Sequence, residues 1–283
     1  SNRSRYFAGV ALAMLGEYEK AIAQFTLRSQ SPQRYAAEMG NLATVYAERP
    51  TGNRDANLRK AIRIYKEILD IFTRQDFPAD WAMTQNNLGI AYKVLPTGDR
   101  TQSLRKAIDA FNAALSVYTK DDFPADWATA QNNLGTAYAD LPPDDRGGNL
   151  QKAIDCYQAA LTVHTRDTFP EKWAMTQNNL GTAYAALPTG DHGKNFQKAI
   201  ACFEAALTVR TKDAFPEKWA MTKNNLGTAY SDLPTGDRAR NLQQAIACYE
   251  AALTVFTKDD FPHYHAPTVQ NLQRTREDLD SLR

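Results

Sequence analysis

The stretch WAMTQNNLGIAYKVLPTGDR, residues 81–100, decides the fold because the chain repeats it. Close copies begin at Trp127, Trp173 and Trp219, so the motif recurs every 46 residues. A fixed period of this size is typical of repeat arrays, in which each unit buries its apolar side against the next unit. The structure of one unit should therefore determine the structure of the whole chain.

Apolar side chains within one unit recur at steps of three and four, which is the spacing of one face of a helix. In the second half of the unit these residues are Leu104, Ala107, Ile108, Phe111, Leu115 and Tyr118, and in the first half they are Leu88, Ala91, Tyr92 and Leu95. No segment shows the alternation with period two that a half-buried strand requires. The sequence therefore predicts an all-α fold in which each unit is a pair of antiparallel helices.

Turn residues indicate where these helices begin and end. Pro78 suits the first turn of a helix, where its missing N–H costs nothing, and Phe77 suits a hydrophobic staple. Leu95 precedes a proline and is disfavoured in the helical region, so LPTGDR ends the first helix. The residues predicted to cap the second helix of each pair are Ser103, Asn149, Asn195 and Asn241.

The segments NLGTAY and NLQKAIDCYQAAL resemble the tetratricopeptide repeat (TPR). The positions that carry the family pattern are Leu134-Gly135, Tyr138, Ala153, Tyr157 and Ala160. The usual repeat has 34 residues, so this is a longer variant, although the N-terminal segment matches the ordinary length at Gly9, Gly16, Tyr18, Ala21 and Phe25. The long variant also resembles arrays in large bacterial proteins that carry a caspase-like protease domain or an NTPase switch domain.

The resemblance implies a right-handed superhelical solenoid that spans residues 1–283 as one array. The helix pairs are predicted at residues 5–30, 35–74, 81–120, 127–166, 173–212 and 219–258, with a capping helix at 264–282. In the capping helix, Gln273 and Arg276 replace the packing glycine and tyrosine, which suits a face turned to water. At the other end, Tyr6, Phe7 and Val10 would be partly exposed, so we expect further repeats or another domain before residue 1.

Composition argues against several classes of partner. Lys and Arg (33) nearly cancel Asp and Glu (32), so no overall field attracts nucleic acid or an anionic membrane. The apolar runs are shorter than the ~18 residues of a membrane span. Cys156, Cys202 and Cys248 occupy one repeat position, and equivalent helices should lie about 8–10 Å apart, too far for a disulfide. We interpret them as packing residues of a cytoplasmic protein.

The sequence contains no catalytic constellation. The histidines do not recur between repeats, and His263 and His265 lack the Cys or carboxylate neighbours of a metal site, so a solvated surface is favoured. The PTGD loop lacks the Lys-Ser/Thr context of a phosphate loop. Its recurring aspartates are interpreted as turn and capping residues rather than metal ligands, and they are Asp99, Asp145, Asp191 and Asp237. We predict a non-enzymatic protein with no metal and no cofactor.

The remaining candidate is the concave groove, which the resemblance assigns to the first helix of each pair. The groove positions are predicted to carry Met83, Asn86, Ile90, Lys93, Thr129, Asn132, Thr136, Ala139, Met175, Asn178, Thr182, Ala185, Met221, Asn224, Thr228 and Ser231. An asparagine amide offers a donor and an acceptor, so a ladder of them can pair with the backbone of an extended peptide. The alternative is a ladder that bonds along itself or to water.

Two other recurring sets are interpreted as structural. The second asparagine of each pair lies on another side of the helix and is expected to bond neighbouring backbone; the set is Asn87, Asn133, Asn179 and Asn225. The tryptophans stand beside the Phe-Pro corner and are interpreted as packing residues; they are Trp81, Trp127, Trp173 and Trp219.

The leading hypothesis is a protein-interaction scaffold that binds an extended peptide or a partner domain in the groove. Capture of a C-terminal carboxylate is disfavoured because Lys93 is the only groove cation. The alternative is a sensor or regulatory arm of a larger protein that carries a protease or NTPase domain. Single-stranded RNA binding is a third hypothesis, which the net charge of +1 and the unvaried groove asparagine disfavour.

Overall fold

The computed structural model describes residues 12, 20, 31–49 and 52–282. Between Pro32 and Asp280 it contains eleven α-helices, and this described part has no strand. The helices are α1 (Pro32–Glu48), α2 (Arg54–Leu69), α3 (Pro78–Lys93), α4 (Arg100–Leu115), α5 (Pro124–Ala139), α6 (Arg146–Leu161), α7 (Pro170–Ala186), α8 (His192–Leu207), α9 (Pro216–Asp232), α10 (Arg238–Leu253) and α11 (Pro262–Asp280). The all-α prediction is confirmed.

The predicted pair at 5–30 lies, apart from Leu12 and Lys20, outside the described residues. The three apolar side chains that were expected to be partly exposed, Tyr6, Phe7 and Val10, also lie outside the described residues. So do the five positions that match the ordinary repeat, which are Gly9, Gly16, Tyr18, Ala21 and Phe25.

The chain forms two compact units that divide between Leu141 and Pro142. Unit 1 contains α1–α5 and unit 2 contains α6–α11, and within each unit every helix packs against the next helix in the chain. Alternate helices also touch: α1 with α3 and α3 with α5 in unit 1, and α7 with α9 and α9 with α11 in unit 2. This nearest-neighbour packing is that of a helical solenoid. That residues 1–283 form a single array stays a prediction.

A close contact between a glycine and an aromatic ring joins the two helices of a pair. A Cβ atom at Gly181 would lie 2.8 Å from Phe203 Cε1, and one at Gly227 would lie 2.8 Å from Tyr249 Cε1. Both rings are fully buried. The helices therefore approach so closely that only glycine fits, which explains the Leu-Gly of the repeat.

The helices α4, α6, α8 and α10 each begin directly after an aspartate of the preceding loop. A side-chain oxygen of each aspartate accepts a hydrogen bond from the backbone N–H three residues later, and these residues are Asp99, Asp145, Asp191 and Asp237. This confirms the capping interpretation of the aspartates. The prediction that Ser103, Asn149, Asn195 and Asn241 are the caps is wrong, because all four lie inside helices. Instead, the amides of Asn195 and Asn241 donate to loop carbonyls at 2.9 and 2.8 Å.

Glycine shapes most of these loops. Gly98, Gly190 and Gly236 have φ of 91°, 82° and 82°, in the left-handed region that side-chain-bearing residues avoid. The corresponding loop after α5 has no glycine at this position, and residues Pro143–Asp145 form a 3-10 turn instead. An aspartate therefore caps the following helix in both loop conformations.

The last helix, α11, departs from the repeat as predicted. Leu272 is buried, whereas Gln273 and Arg276 are exposed. Arg276 Nη2 donates to Glu250 Oε1 at 2.6 Å, so the arginine lies against α10. In the part of the chain that the structure describes, no helix is both long enough and apolar enough to cross a membrane.

Candidate binding surface of the inner helices

Asn86, Asn178 and Asn224, three of the four first asparagines, each accept a hydrogen bond from the next inner helix of their unit. The inner helices are α1, α3 and α5 in unit 1 and α7, α9 and α11 in unit 2. The Thr222 hydroxyl donates to Asn178 Oδ1 at 3.1 Å, and Asn225 Nδ2 donates to the same oxygen at 3.4 Å. Thr268 donates to Asn224 Oδ1 at 3.1 Å. These amide oxygens therefore form contacts between successive inner helices of unit 2, α7 with α9 and α9 with α11.

Unit 1 contains a simpler form of the same contact. Asn133 Nδ2 donates to Asn86 Oδ1 at 3.2 Å. Ala130 stands where α9 has Thr222, so no hydroxyl is present to add a second bond. The asparagines thus bond along themselves, as one of the two sequence-based alternatives proposed. The expectation that Asn133 and Asn225 bond backbone is wrong, because their partners are side chains of the preceding inner helix.

Burial differs among the four predicted groove asparagines. Asn132 is 3% exposed and Asn178 is 7% exposed, whereas Asn86 and Asn224 are half-buried. The expectation of four amides open to a groove is therefore wrong for Asn132 and Asn178. For Asn178 the physical reason is visible, because Thr222 and Asn225 from α9 cover its oxygen.

The predicted groove threonines bond within their own helices. The hydroxyls of Thr136, Thr182 and Thr228 donate to the carbonyl four residues earlier, at 2.9, 3.0 and 3.2 Å. Thr182 is exposed, while Thr136 and Thr228 are half-buried. The Tyr249 hydroxyl also donates to Thr228 at 3.1 Å. Their hydroxyl protons are therefore used internally, and toward a ligand these oxygens act as acceptors.

Methionine provides the apolar part of the surface. Met83 is 49% exposed, an unusual exposure for a large apolar side chain, and Met175 and Met221 occupy the same repeat position half-buried. Met221 packs partly against the buried cluster of Ala220, Ala252 and Phe256. Ile90, on the same helix as Met83, is half-buried.

The cation of the predicted groove, Lys93, lies in a partly buried site. Burial lowers the pKa of Lys93, and the Asp140 carboxylate opposes that effect. Asp140 also pairs with Arg100, whose Nη2 lies 3.2 Å from Asp140 Oδ2. Because Asp140 is shared with Arg100, Lys93 is not an isolated positive charge.

The remaining predicted groove residues contribute little to a binding surface. Thr129, Ala139 and Ala185 are half-buried, and Thr129 donates to the Ala125 carbonyl at 2.7 Å. Ser231 is buried, and its hydroxyl lies 3.4 Å from that of Thr275.

The tryptophans have the predicted packing role where their contacts are described. Trp81 and Trp127 pack against a buried cluster that includes Ala82 and Tyr118, and Trp219 packs against the cluster around Phe256. Trp173 is half-buried.

The described residues contain no group of three or more His, Cys, Asp or Glu side chains that could hold a metal ion. The three cysteines are free thiols, as predicted. Burial raises the pKa of Cys156 and of Cys202 to about 11, which keeps both thiols protonated and poorly nucleophilic near neutral pH.

Arg210 was not singled out in the sequence, yet it is the most unusual buried residue of unit 2. It is 4% exposed, its Nη1 donates to Thr222 Oγ1 at 3.0 Å, and its buried Nε has no hydrogen-bond partner. The same repeat position holds an aromatic ring elsewhere, as in Phe72, Tyr118 and Phe256. Aligning the repeats would have identified this exception.

Comparison with known structures supports the fold. BtubC (BKLC) from P. vanneervenii matches with a TM-score of 0.58 at 19% identity, over 90% of this chain and 91% of that chain. A Rap protein complexed with Competence and Sporulation Factor matches with a TM-score of 0.57 at 13% identity, over 99% of this chain and 75% of that chain. At these identities the likeness concerns the fold alone.

In sequence, no curated protein matches the chain. Residues 219–262 match the family model of the tetratricopeptide repeat. These residues cover most of α9, all of α10 and the corner that leads to α11. Their pattern recurs in the preceding segments with the period of 46 residues. Residues 219–262 therefore match a tetratricopeptide repeat, and the preceding 46-residue segments resemble that repeat, in line with the resemblance seen in the sequence.

Proposed function

We propose that the chain is a non-enzymatic scaffold that binds an extended segment of a protein partner along its inner helices. Arrays of this family are typically interaction scaffolds rather than catalysts. The observation that carries the proposal is the exposure of Met83, which leaves nearly half of a large apolar side chain in water. Methionine is unbranched and polarisable, so it adapts to different apolar side chains of a ligand.

The proposed contacts do not include Asn132 and Asn178, because both side chains are almost completely buried. The set in unit 1 is Met83, Asn86, Ile90, Lys93 and Thr136, and the set in unit 2 is Met175, Thr182, Met221, Asn224 and Thr228.

Asn86 and Asn224 keep a specific role. Each uses its side-chain oxygen in a bond from the following inner helix, while its NH2 group has no partner among the described residues. Each amide can therefore donate to a backbone carbonyl of the bound segment. A hydrogen bond contributes about 0.5–1.5 kcal/mol, whereas micromolar affinity requires about 8 kcal/mol. The apolar contacts must supply most of the affinity.

The experiment selects binding peptides from a random displayed library and measures their affinity for variants of the chain. Met83→Glu should weaken the selected peptides about tenfold or more, because it places a charge on the apolar surface. The matched control is Arg105→Gln, which changes the net charge by the same amount at an exposed position of α4. Equal weakening by both variants, or no effect of Met83→Glu, would rule out the proposed surface.

The regulatory-arm hypothesis is compatible with this proposal. It rests on the resemblance of the long repeat to arrays within larger bacterial proteins, and a protease or NTPase domain encoded in the same gene would support it. The Rap structure was solved with Competence and Sporulation Factor bound. That complex belongs to the Rap protein, and here it supports only the idea that such a fold accommodates a partner.

A further inference from the structure

A pocket lined by cations lies between α2 and α4 in unit 1. Its volume is about 450 Å³, and its lining includes Arg59, Arg63 and Lys66 from α2 and Lys106 from α4. We call this site the basic pocket. Asp99 is the acidic residue of the lining, and one of its carboxylate oxygens caps α4 by accepting from the Gln102 N–H at 3.0 Å.

The cations converge on the ring of Tyr92. Lys66 Nζ and Lys106 Nζ lie 5.9 and 5.7 Å from the ring centroid. Arg59 pairs with Asp55 at 2.6 Å. Arg63, Lys66 and Lys106 are exposed, and none of them forms an ion pair with any residue that the structure describes. The basic pocket therefore has three cations that are not neutralised by contact.

Corresponding positions in unit 2 show that packing does not require Arg63 or Lys66. The position of Lys66 is held by Gln158, which donates to the Tyr184 hydroxyl at 2.9 Å. One repeat later it is held by Glu204, which accepts from the Tyr230 hydroxyl at 2.9 Å. The position of Arg63 is held by Asp155, Ala201 and Ala247 in turn.

Placing like charges together costs electrostatic energy in the free protein. Because glutamine or glutamate also contacts the tyrosine from the position of Lys66, Arg63 and Lys66 serve something other than the fold. We propose that the basic pocket binds a compact anion that carries two or more phosphate or carboxylate groups. Guanidinium groups bind both oxyanions through paired N–H donors, and the lysines add mobile point charges.

The surroundings favour a small ligand over a chain. The positions of Arg63 and Lys66 are held in α4 by Asp109 and Asn112, both exposed, so two of the cations do not recur and the positive surface is interrupted there. An acidic peptide or a nucleic-acid backbone would need a continuous positive surface. The ring of Tyr92 is buried beneath the two lysines and is not open to stack on a base. The volume lies within the range of about 300–1,000 Å³ for small-molecule sites.

The experiment is isothermal titration calorimetry of the full chain at low ionic strength, with pyrophosphate and with citrate as ligands. Comparing the two ligands separates recognition of phosphate from recognition of carboxylate. We expect saturable binding of one anion per chain, weakened by added sodium chloride. Lys106→Gln should lower the affinity about tenfold, the effect of one lost charge-assisted contact. The matched control is Lys198→Gln, which removes a lysine from the same repeat position, 5.1 Å from the Tyr184 ring. That variant should bind like the wild type.

Lys66→Glu provides a second test that retains the fold, because Glu204 and Glu250 occupy this position in later repeats. It should abolish binding while circular dichroism stays unchanged. Absence of binding to both anions, or equal weakening by Lys106→Gln and Lys198→Gln, would overturn the proposal. Binding of hexaglutamate or single-stranded RNA that pyrophosphate does not compete would also overturn it and assign the pocket to a macromolecule.

Discussion

The side-chain oxygen of Asn178 accepts a hydrogen bond at 3.1 Å from the hydroxyl of Thr222, which lies 44 residues later on the next inner helix. Asn225 donates to the same oxygen, and Arg210 donates to Thr222. Polar side chains thus form a continuous network inside an otherwise apolar repeat junction. Such a network is stabilising only while each member keeps its partners.

Asn178→Ala should lower the free energy of unfolding by about 1–3 kcal/mol, because Asn225 loses its acceptor in a partly buried place. The Thr222 hydroxyl also bonds the Lys218 carbonyl at 2.8 Å and keeps that partner in the variant, so the decrease should lie near the lower end of this range. Urea unfolding followed by circular dichroism measures the change in the free energy of unfolding. The control, Thr182→Ala, removes an exposed hydroxyl that bonds only its own helix. Indistinguishable midpoints for the two variants would contradict the structural role of the amide.

Gly181→Ala and Gly40→Ala should change stability in opposite directions. At Gly181 the added Cβ would lie 2.8 Å from Phe203 Cε1 and 3.1 Å from the Ala199 carbonyl oxygen, so overpacking should cost about 1–3 kcal/mol. At Gly40 the nearest atom is Ile68 Cδ1 at 3.7 Å, an ordinary contact. There the better helix propensity of alanine should contribute about 1 kcal/mol. Thermal denaturation of both variants tests this prediction. Melting temperatures that shift in the same direction for the two variants would refute the packing argument.

Arg210→Phe should stabilise the protein. Burial lowers the pKa of Arg210, with partial compensation by the Glu171 carboxylate, so the charged form is disfavoured in its site. At the equivalent position Phe256 packs against Phe261 with ring centroids 5.7 Å apart, and Phe215 occupies the repeat position of Phe261. Replacing a buried charge by a fitting apolar side chain typically contributes about 1–4 kcal/mol.

Differential scanning calorimetry measures this change, and Arg210→Ala serves as the comparison because it leaves a cavity. We expect the phenylalanine variant to melt above the wild type and the alanine variant to melt below the phenylalanine variant. A phenylalanine variant that melts below the wild type would mean that the guanidinium has a required partner.

Cys156 and Cys202 should resist alkylation in the folded protein. With the pKa of each thiol raised to about 11 by burial, roughly one molecule in a thousand carries the thiolate at pH 8. An unfolded cysteine, with a pKa near 8.5, carries it in about a quarter of molecules. Iodoacetamide labelling read by mass spectrometry should therefore be about two orders of magnitude slower without urea. Equal rates with and without urea would contradict the burial of these thiols.

The same raised pKa fixes the sign of a pH effect. Unfolded thiols have a pKa near 8.5 and ionise before the folded ones do. The stabilisation is fully present below that pH and is lost as the pH rises toward about 11. Urea midpoints measured between pH 8 and pH 10.5 should fall more steeply for the wild type than for Cys156→Ala/Cys202→Ala.

The fold was predictable because its signals are local. The spacing of Leu104, Ala107, Ile108 and Phe111 lies within one helix, and the Phe-Pro corner marks each start. Helix caps were less certain because Asp191 and Asn195 are both good capping residues, four positions apart. The bond from the Asn195 amide back to the Thr189 carbonyl, which decides between them, depends on the shape of the loop.

The candidate surface was only partly predictable. A helical periodicity shows which residues share a face, as for Met83 and Asn86, but not how closely the next helix covers that face. The covering of Asn178 by Thr222 depends on contacts between residues 44 positions apart. The basic pocket was missed for a related reason: Arg59 and Lys106 belong to different repeats, and the net charge of +1 conceals a local concentration of cations.

The bonds from Thr222 to Asn178 and from Thr268 to Asn224 all point from a later repeat to an earlier one. A tandem duplication of 46 codons would copy an acceptor together with the donor that the preceding copy needs. An insertion of any other length would separate them. Evolution can therefore lengthen or shorten this protein by whole repeats of 46 residues, and intermediate lengths would be selected against.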